Sequence, residues 1–331
     1  MPLSTNPRAA YRLVRNNLTR RAGACLTQPY AFTVANTYKT DKTLPSRTGA
    51  AQVHRYARGV AIMDLLLRVE THQVAVGLPG TRRYLCGPVT ITVAADPEQP
   101  LAARLTGAAT AADVAAAAGR MQALDVPERF EWIDELLPGQ AGAFDAPGFV
   151  VRHHPLLVLA HVQAQAARPG VTVERVDPAS PDDLAATTAA VSAIAFSYDG
   201  SSQRRADAAH VELAIALFSR GPELARTRAL LADERVTVWL ARLDGQPAAT
   251  AHAIRYAGAV EIVGVGTVAA SRGRGLATAV TESAAAAAVA EGADLVFLTA
   301  EDADSARLYQ RLGFETVGTV CVAQRASSPS W

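Results

Sequence analysis

The sequence predicts an α/β protein with a central sheet flanked by helices, built as two units, and three observations lead to that reading. Strand-like runs of period two alternate with helix-like runs along the chain from residue 50 onward. At 331 residues the chain exceeds one average domain. Half of its residues are hydrophobic and 19% are charged, enough apolar material for a core of normal size. No run approaches the roughly 18 apolar residues that cross a bilayer. Met1–Arg8 has no apolar segment of the kind a secretion signal needs. Cys25, Cys86 and Cys321 are odd in number and scattered, which suggests neither a disulfide framework nor a metal site. The expectation is a cytoplasmic chain without metal.

The elements follow in order. Residues 1–50 read as a basic extension, with a short helix over Tyr11–Arg21 and a polar stretch over Pro29–Ala50. Val60–Val69 is an apolar run, Val74–Val76 a short strand, and Leu78-Pro79-Gly80 a turn. Val89–Ala94 alternates like a half-buried strand, and Ala111–Leu124 reads as a helix with Asp113 in its first turn. Phe130–Ile133 is a strand, Asp134–Asp145 a helix broken near Pro138-Gly139, and Val150–Val151 and Pro155–Leu159 two further strands. Residues 51–162 make either a degenerate copy of the second unit or an unrelated α/β cap, and Gln163–Gly170 is the connector.

The second unit, 171–325, is cleaner. Val171–Val176 is a strand, and Ser180 is placed to cap a helix that starts at Pro181 and carries Asp182 and Asp183 in its first turn. Helical stretches over Ala206–Leu217 and Glu223–Leu231 follow. Val236–Leu243 and Pro247–Tyr256 form a hairpin about Asp244-Gly245. Val260–Val268 is a strand, Leu276–Glu291 an alanine-rich helix, Asp294–Thr299 a strand, Asp304–Leu312 a helix and Thr316–Ala323 the last strand.

The most informative stretch is Arg272-Gly273-Arg274-Gly275-Leu276-Ala277, between a strand and the alanine-rich helix. A glycine turn delivered onto a helix start leaves several N–H groups unpaired and pointing one way, a seat for phosphate or pyrophosphate. The spacing is neither G-x-G-x-x-G nor G-x-x-x-x-G-K-[ST], so the nucleotide folds marked by those motifs are not supported. Arg272, Gly275 and Ala277 fill the pattern Arg/Gln-x-x-Gly-x-Gly/Ala. Some thirty residues on, Tyr309, Gly313 and Phe314 fit Asn-x-x-Ala-x-x-x-Tyr followed by Gly-Phe, with Asp302 and Ser305 in the Asn and Ala places. This pairing resembles the GNAT superfamily of N-acetyltransferases.

The resemblance implies the acyl-CoA N-acyltransferase (GNAT) fold, a mixed sheet flanked by helices, with two such domains in tandem. It implies acetyl-CoA as co-substrate, held by the loop amides of Arg272, Gly273, Arg274, Gly275, Leu276 and Ala277 and by the strand segment Val265, Gly266, Thr267 and Val268. An N–H of Val265 or Thr267 would stabilise the oxyanion, and Tyr309 would protonate the departing thiolate. Asp302 and Ser305 would lie near the cofactor. Glu261, eleven positions before Arg272, is the acid–base candidate; the other reading is a surface glutamate on a strand edge. His252 is a weaker candidate. The expected acceptor pocket is made by the region around Phe196–Ala209 and the hairpin, with a share from the N-terminal domain left open, and Tyr198, Asp199, Asp207 and His210 are the polar residues that would line it. The implied reaction is acetyl transfer to a primary amine of a small molecule or peptide, by direct attack in a ternary complex. A membrane partner is not expected, and a homodimer is left open.

Charge is unevenly spread. Residues 1–83 carry thirteen Lys/Arg against three Asp/Glu, so the remainder is net acidic although the whole is +1. The basic residues are dispersed and lack interleaved aromatics, which favours a solvated face or an intramolecular surface over a nucleic-acid arm. The competing classes are a non-catalytic acyl-CoA-binding regulator and a nucleic-acid-associated protein. Salt-sensitive binding to nucleic acid would separate the latter.

Overall fold

The computed structural model describes residues 50–76, 81–93, 101–145, 148–163, 168–197 and 207–325, with side chains from residue 61 onward in the first helix. Residues 1–49 of the expected basic extension, the turn 78–80 and the candidates Tyr198 and Asp199 lie outside the described residues. Helix α1 (Ala50–Ala75) opens the described chain, followed by β1 (Arg82–Cys86), β2 (Val89–Val93) and β3 (Ala103–Leu105). Next come α2 (Ala111–Ala123), β4 (Arg129–Ile133), a 3-10 turn (Gln140–Phe144) and β5 (Phe149–Leu159). The second half runs β6 (Val171–Val176), α3 (Asp182–Ser197), α4 (Ala208–Phe218), α5 (Pro222–Leu231), β7 (Val236–Leu243), β8 (Gln246–Tyr256) and β9 (Ala259–Thr267). It ends with α6 (Leu276–Ala290), β10 (Leu295–Thr299), α7 (Ala303–Gln310) and β11 (Phe314–Arg325).

Among the described residues, eleven strands join one mixed sheet in the order β1-β2-β3-β4-β11-β5-β10-β9-β8-β7-β6. Two neighbouring pairs are parallel, β3 with β4 and β9 with β10, each closed by a crossover helix, α2 and α6. The halves therefore repeat one order: an antiparallel meander of three strands, a helix, and a strand parallel to the third. Their last strands are exchanged. β11 of the second half pairs with β4 of the first over Val320–Gln324, and β5 of the first pairs with β10 of the second over Leu156–Val158. β5 and β11 also pair with each other along their full lengths.

Three expectations need correction. Val74–Val76 is not a strand: residues up to Ala75 belong to α1, and the Val76 amide bonds the His72 carbonyl at 2.9 Å. Leu66, Val69, His72, Gln73 and Val76 are all buried, a stripe of helical period that the short Val-Ala-Val alternation disguises. Asp134–Asp145 forms turns and the 3-10 turn rather than a helix, since Gly139 takes φ 75°. Val150–Val151 and Pro155–Leu159 are parts of one strand. Pro155 is tolerated because its carbonyl accepts the Ala300 amide (2.9 Å) just past the end of β10, so the N–H it lacks falls where that neighbour has stopped.

Helices cover both faces. α2 packs on the first half, where Trp132 stacks on Phe144 with centroids 5.0 Å apart. α6 lays Leu276, Ala279, Val280, Ala284 and Ala288 on the second half; small side chains let it approach the strands closely. α1 lies on the opposite face and bridges the halves, packing Leu66 and Val69 against Ile133, Leu156, Phe297 and Val320. Each such burial contributes about 1.5–3 kcal/mol. Ser180 accepts from the Asp177 amide (3.0 Å), joining the turn ahead of α3.

Candidate active site

β9 and β10 pair only through Ala259–Glu261 and Leu295–Phe297. Beyond Phe297, β10 keeps only β5 as its ladder partner, while β9 continues alone on that side to Thr267. A bulge sits in this free segment: Thr250 opposes Gly266 and His252 opposes Val263, so Gly264 and Val265 face Ala251 alone. Gly264 takes φ 61°, which a glycine adopts without strain. Gly266 has another requirement, since a Cβ there would lie 2.8 Å from the Phe196 ring and 2.9 Å from the Ala195 methyl. Its hydrogen side chain lets the end of α3 approach β9.

The strand leads through a 3-10 turn (Ala269–Ser271) into Arg272, Gly273 (φ 76°), Arg274 and Gly275 (φ 79°), where α6 begins. Among the described residues no side chain caps this helix, so its first-turn N–H groups face outward, beside the mouth of the parted strands. Arg272 folds back, its Nε donating to the Thr267 carbonyl at 3.2 Å, and Arg274 is exposed. Sequence reasoning missed a third cation. Arg168, from the connector, lies over Gly275: a Cβ on that glycine would meet its Cδ at 3.0 Å. Glu282 of α6 holds it through two bonds of 2.7 and 3.0 Å. Nothing local signals a pair 114 residues apart.

Residues 207–314 match the acetyltransferase (GNAT) family model. The chain carries a GNAT-family domain. Its structure is similar to a GCN5-related N-acetyltransferase from Kribbella flavida, at 22% identity over 85% of this chain and 98% of that one, with a TM-score of 0.53. A putative acetyltransferase of the GNAT family from Novosphingobium aromaticivorans shares 22% identity over 68% of this chain and 88% of its own (TM-score 0.38). A tandem GNAT protein from the clavulanic acid biosynthesis pathway shares 15% over 83% and 97% (TM-score 0.47). No curated protein matches the chain.

Within the GNAT-family domain, Glu261 is the last β9 residue paired to β10, so it stands at the fork. It is 3% exposed and points toward α1, not to a strand edge. Gln73 Nε2 donates to its Oε1 at 2.8 Å, and His72 Nδ1 lies 3.8 Å from Oε2. Burial pushes the carboxyl up to about 7; the Gln73 bond and the Arg104 charge oppose this, and Glu131 adds to it. His252 shares this face one strand over, 8% exposed, and burial lowers its imidazole to about 4.

Tyr309 lies on α7, half-buried, with its ring 6.2 Å from that of Phe314. Asp302 is the N-cap of α7 and accepts the Ser305 amide at 2.8 Å. Gly313 (φ 91°) is required where the chain leaves α7, because a Cβ would come within 2.2 Å of the His161 carbonyl oxygen. Asp207 and His210 bond each other and close the start of α4, with Nδ1 to Oδ1 at 2.7 Å. Among the described residues, no group of three or more His, Cys, Asp or Glu could hold a metal ion, and no helix is long and apolar enough to cross a membrane.

Proposed function

We propose that the protein is an acetyl-CoA-dependent N-acetyltransferase that acts on a primary amine of a small molecule or peptide. The observation that carries this reading is the parting of β9 from β10 beside the uncapped, glycine-started N-terminus of α6. The amides of Gly273–Ala277 would receive the pyrophosphate, with Arg168, Arg272 and Arg274 supplying positive charge nearby. The free edge of β9, Val265–Val268, would pair with the pantetheine arm, and an N–H of Val265 or Thr267 would donate to the oxyanion.

In this mechanism Glu261 accepts a proton from the ammonium through a water, freeing the nitrogen lone pair. The amine attacks the thioester carbonyl; the C–N bond forms and the C–S bond breaks. Tyr309 gives its hydroxyl proton to the thiolate and recovers one from the acylated nitrogen. Glu261, with its carboxyl raised to about 7, suits this role near neutral pH. Asp302 contributes by fixing the start of α7, which carries Tyr309.

The test is calorimetry with acetyl-CoA followed by an amine screen. The expected result is 1:1 binding, weakened about 100-fold or more by Gly275→Glu. Tyr309→Phe is expected to leave binding intact and slow turnover by about 100-fold, within the range of general acid catalysis. Failure of the intact chain to bind acetyl-CoA would overturn the proposal.

A further inference from the structure

The mechanism above uses Glu261 alone, yet the structure surrounds that carboxylate with groups from the other half of the chain. His72 Nε2 lies 3.0 Å from the Ile254 carbonyl. A carbonyl only accepts, so the ring carries its N–H on Nε2, and Nδ1 of the neutral imidazole keeps a lone pair. That Nδ1 is turned toward Glu261 Oε2, 3.8 Å away. Both atoms are buried and have no hydrogen-bond partner among the described residues. The other carboxylate oxygen already accepts from Gln73 Nε2 at 2.8 Å. The imidazole is held edge-on to Phe297, with centroids 5.0 Å apart, and to Tyr256 at 6.4 Å.

Two lone pairs facing each other in a dry site repel, and each unpaired atom costs its desolvation. One proton on Oε2, donated to Nδ1 after a closing movement of about 1 Å, satisfies both atoms at normal hydrogen-bond distance. We infer that Glu261 and His72 act as one proton-holding pair, so the base of the second half is completed by helix α1 of the first. His72 is then a positioning residue that receives the carboxyl's hydrogen bond, and Gln73 fixes the carboxyl plane.

The proton balance is simple. In the empty state the pair is a carboxylate and a neutral imidazole. It takes one proton from R–NH3+, leaving R–NH2 and an Oε2–H···Nδ1 bond, and returns that proton to solvent between turnovers. No other bond changes. The charged and titratable groups around the pair are Arg104 from β3, Glu131 from β4, and His252 and Tyr256 from β8; β10 contributes Phe297. Burial raises the carboxyl to about 7 and lowers the imidazole to about 4, an order in which the proton resides on the carboxyl and the ring stays neutral.

The catalytic consequence rests on the acetyltransferase reading, whereas the pair itself can be observed without turnover. The full chain labelled with 15N-histidine is titrated by NMR, with His72→Gln assigning the resonance among the seven histidines. The expected result is a protonated Nε2 at all pH values above 5 and an Nδ1 signal that moves with an inflection near pH 7, a movement lost in Glu261→Gln. An N–H on Nδ1, or a movement unchanged by Glu261→Gln, would overturn the inference.

Kinetics give the second readout. In kcat/KM for acetyl transfer, Gln73→Leu is expected to move the inflection up, by removing a donor to the carboxylate. His72→Phe is expected to move it down, by removing the acceptor of the carboxyl proton; each shift is about one pH unit. An inflection that stays in place in both variants would reduce His72 and Gln73 to packing and overturn the inference. The NMR signature without acetyl transfer to any amine would leave the pair standing and remove the acetyltransferase reading.

Discussion

The two halves of the sheet run the same order of elements to opposite ends, and the contrast is clearest at their crossover helices. α6 starts on Gly275 with no capping side chain. α2 starts on Thr110, whose hydroxyl accepts the Asp113 amide (3.2 Å) while the Asp113 carboxylate accepts the Thr110 amide (2.8 Å). Gln140 then ties up both the N–H and the carbonyl of Ala109 just before it. The amides of Ala109, Thr110 and Asp113 are thus already taken, and the Asp113 carboxylate stands at the helix start where it repels an anion. The same geometry is a binding site or a finished structural joint depending on whether side chains have already filled it.

A second contrast lies where each parallel pairing ends. Glu261 pairs with Phe297 across β9 and β10; Arg104 pairs with Glu131 across β3 and β4. Both Glu261 and Arg104 point to the α1 face, and α1 answers each: His72 and Gln73 face Glu261, and Glu70 bonds Arg104 at 2.6 Å. In the first half the charge is neutralised, with Arg104 2.6 Å from Glu70 and 3.6 Å from Glu131, and its Nη1 is without a hydrogen bond among the described residues. In the second it is a carboxyl with one unpaired oxygen.

That comparison can be broken most severely by separating the halves. Residues 168–325 alone are expected to show no cooperative unfolding transition by circular dichroism, because β5 lies between β10 and β11; co-expression with residues 50–163 should restore it. A folded, cooperative isolated second half would refute the shared-sheet argument. Next in size is Gly313→Val, which places a side chain against the His161 carbonyl where the halves meet and takes a strained backbone as well. A loss of more than about 3 kcal/mol in urea unfolding is expected.

Acid tests both halves at once. His72 and His252 are held at about 4, below their ordinary 6.5, and Glu261 at about 7, above its ordinary 4.5. Between pH 4.5 and 6.5 the unfolded chain protonates both imidazoles, while the folded chain protonates only the carboxyl. Unfolding takes up one net proton, so these groups make stability fall with acidification by about 1.4 kcal/mol per pH unit. Glu261→Gln removes the opposing group, and the slope in that window should double. The smallest effect sharpens the helix comparison: Thr110→Ala should cost about 1 kcal/mol of stability and leave acetyl-CoA affinity unchanged. A change in affinity would mean that α2 takes part in binding.

Much of the second half was legible along the chain because its signals are local. The Asp244-Gly245 turn takes φ 49° and 82° as a tight hairpin needs, and Gly275 sits at positive φ where the helix starts. Pro155 misled because a proline inside a strand depends on what its neighbour does, and β10 ends beside it. Val74–Val76 misled because three residues cannot show whether their period is two or 3.6. Arg168, His72 and Gln73 gave no signal, since each acquires its role from a residue more than a hundred positions away.

By itself, then, the sequence determined the strand and helix order of residues 171–325, the glycine-started helix and the candidates Glu261 and Tyr309. The element order and the helix start rest on backbone preference and periodicity over a few residues; the two candidates rest on the resemblance of their motifs to the GNAT superfamily. Only the tertiary structure decided the exchange of β5 and β11, the burial of Glu261 beneath α1, and the tie of Gln140 to Ala109 ahead of α2. Pairing partners, desolvation and the filling of a helix end depend on which distant segments the chain brings together, and no local pattern carries that information.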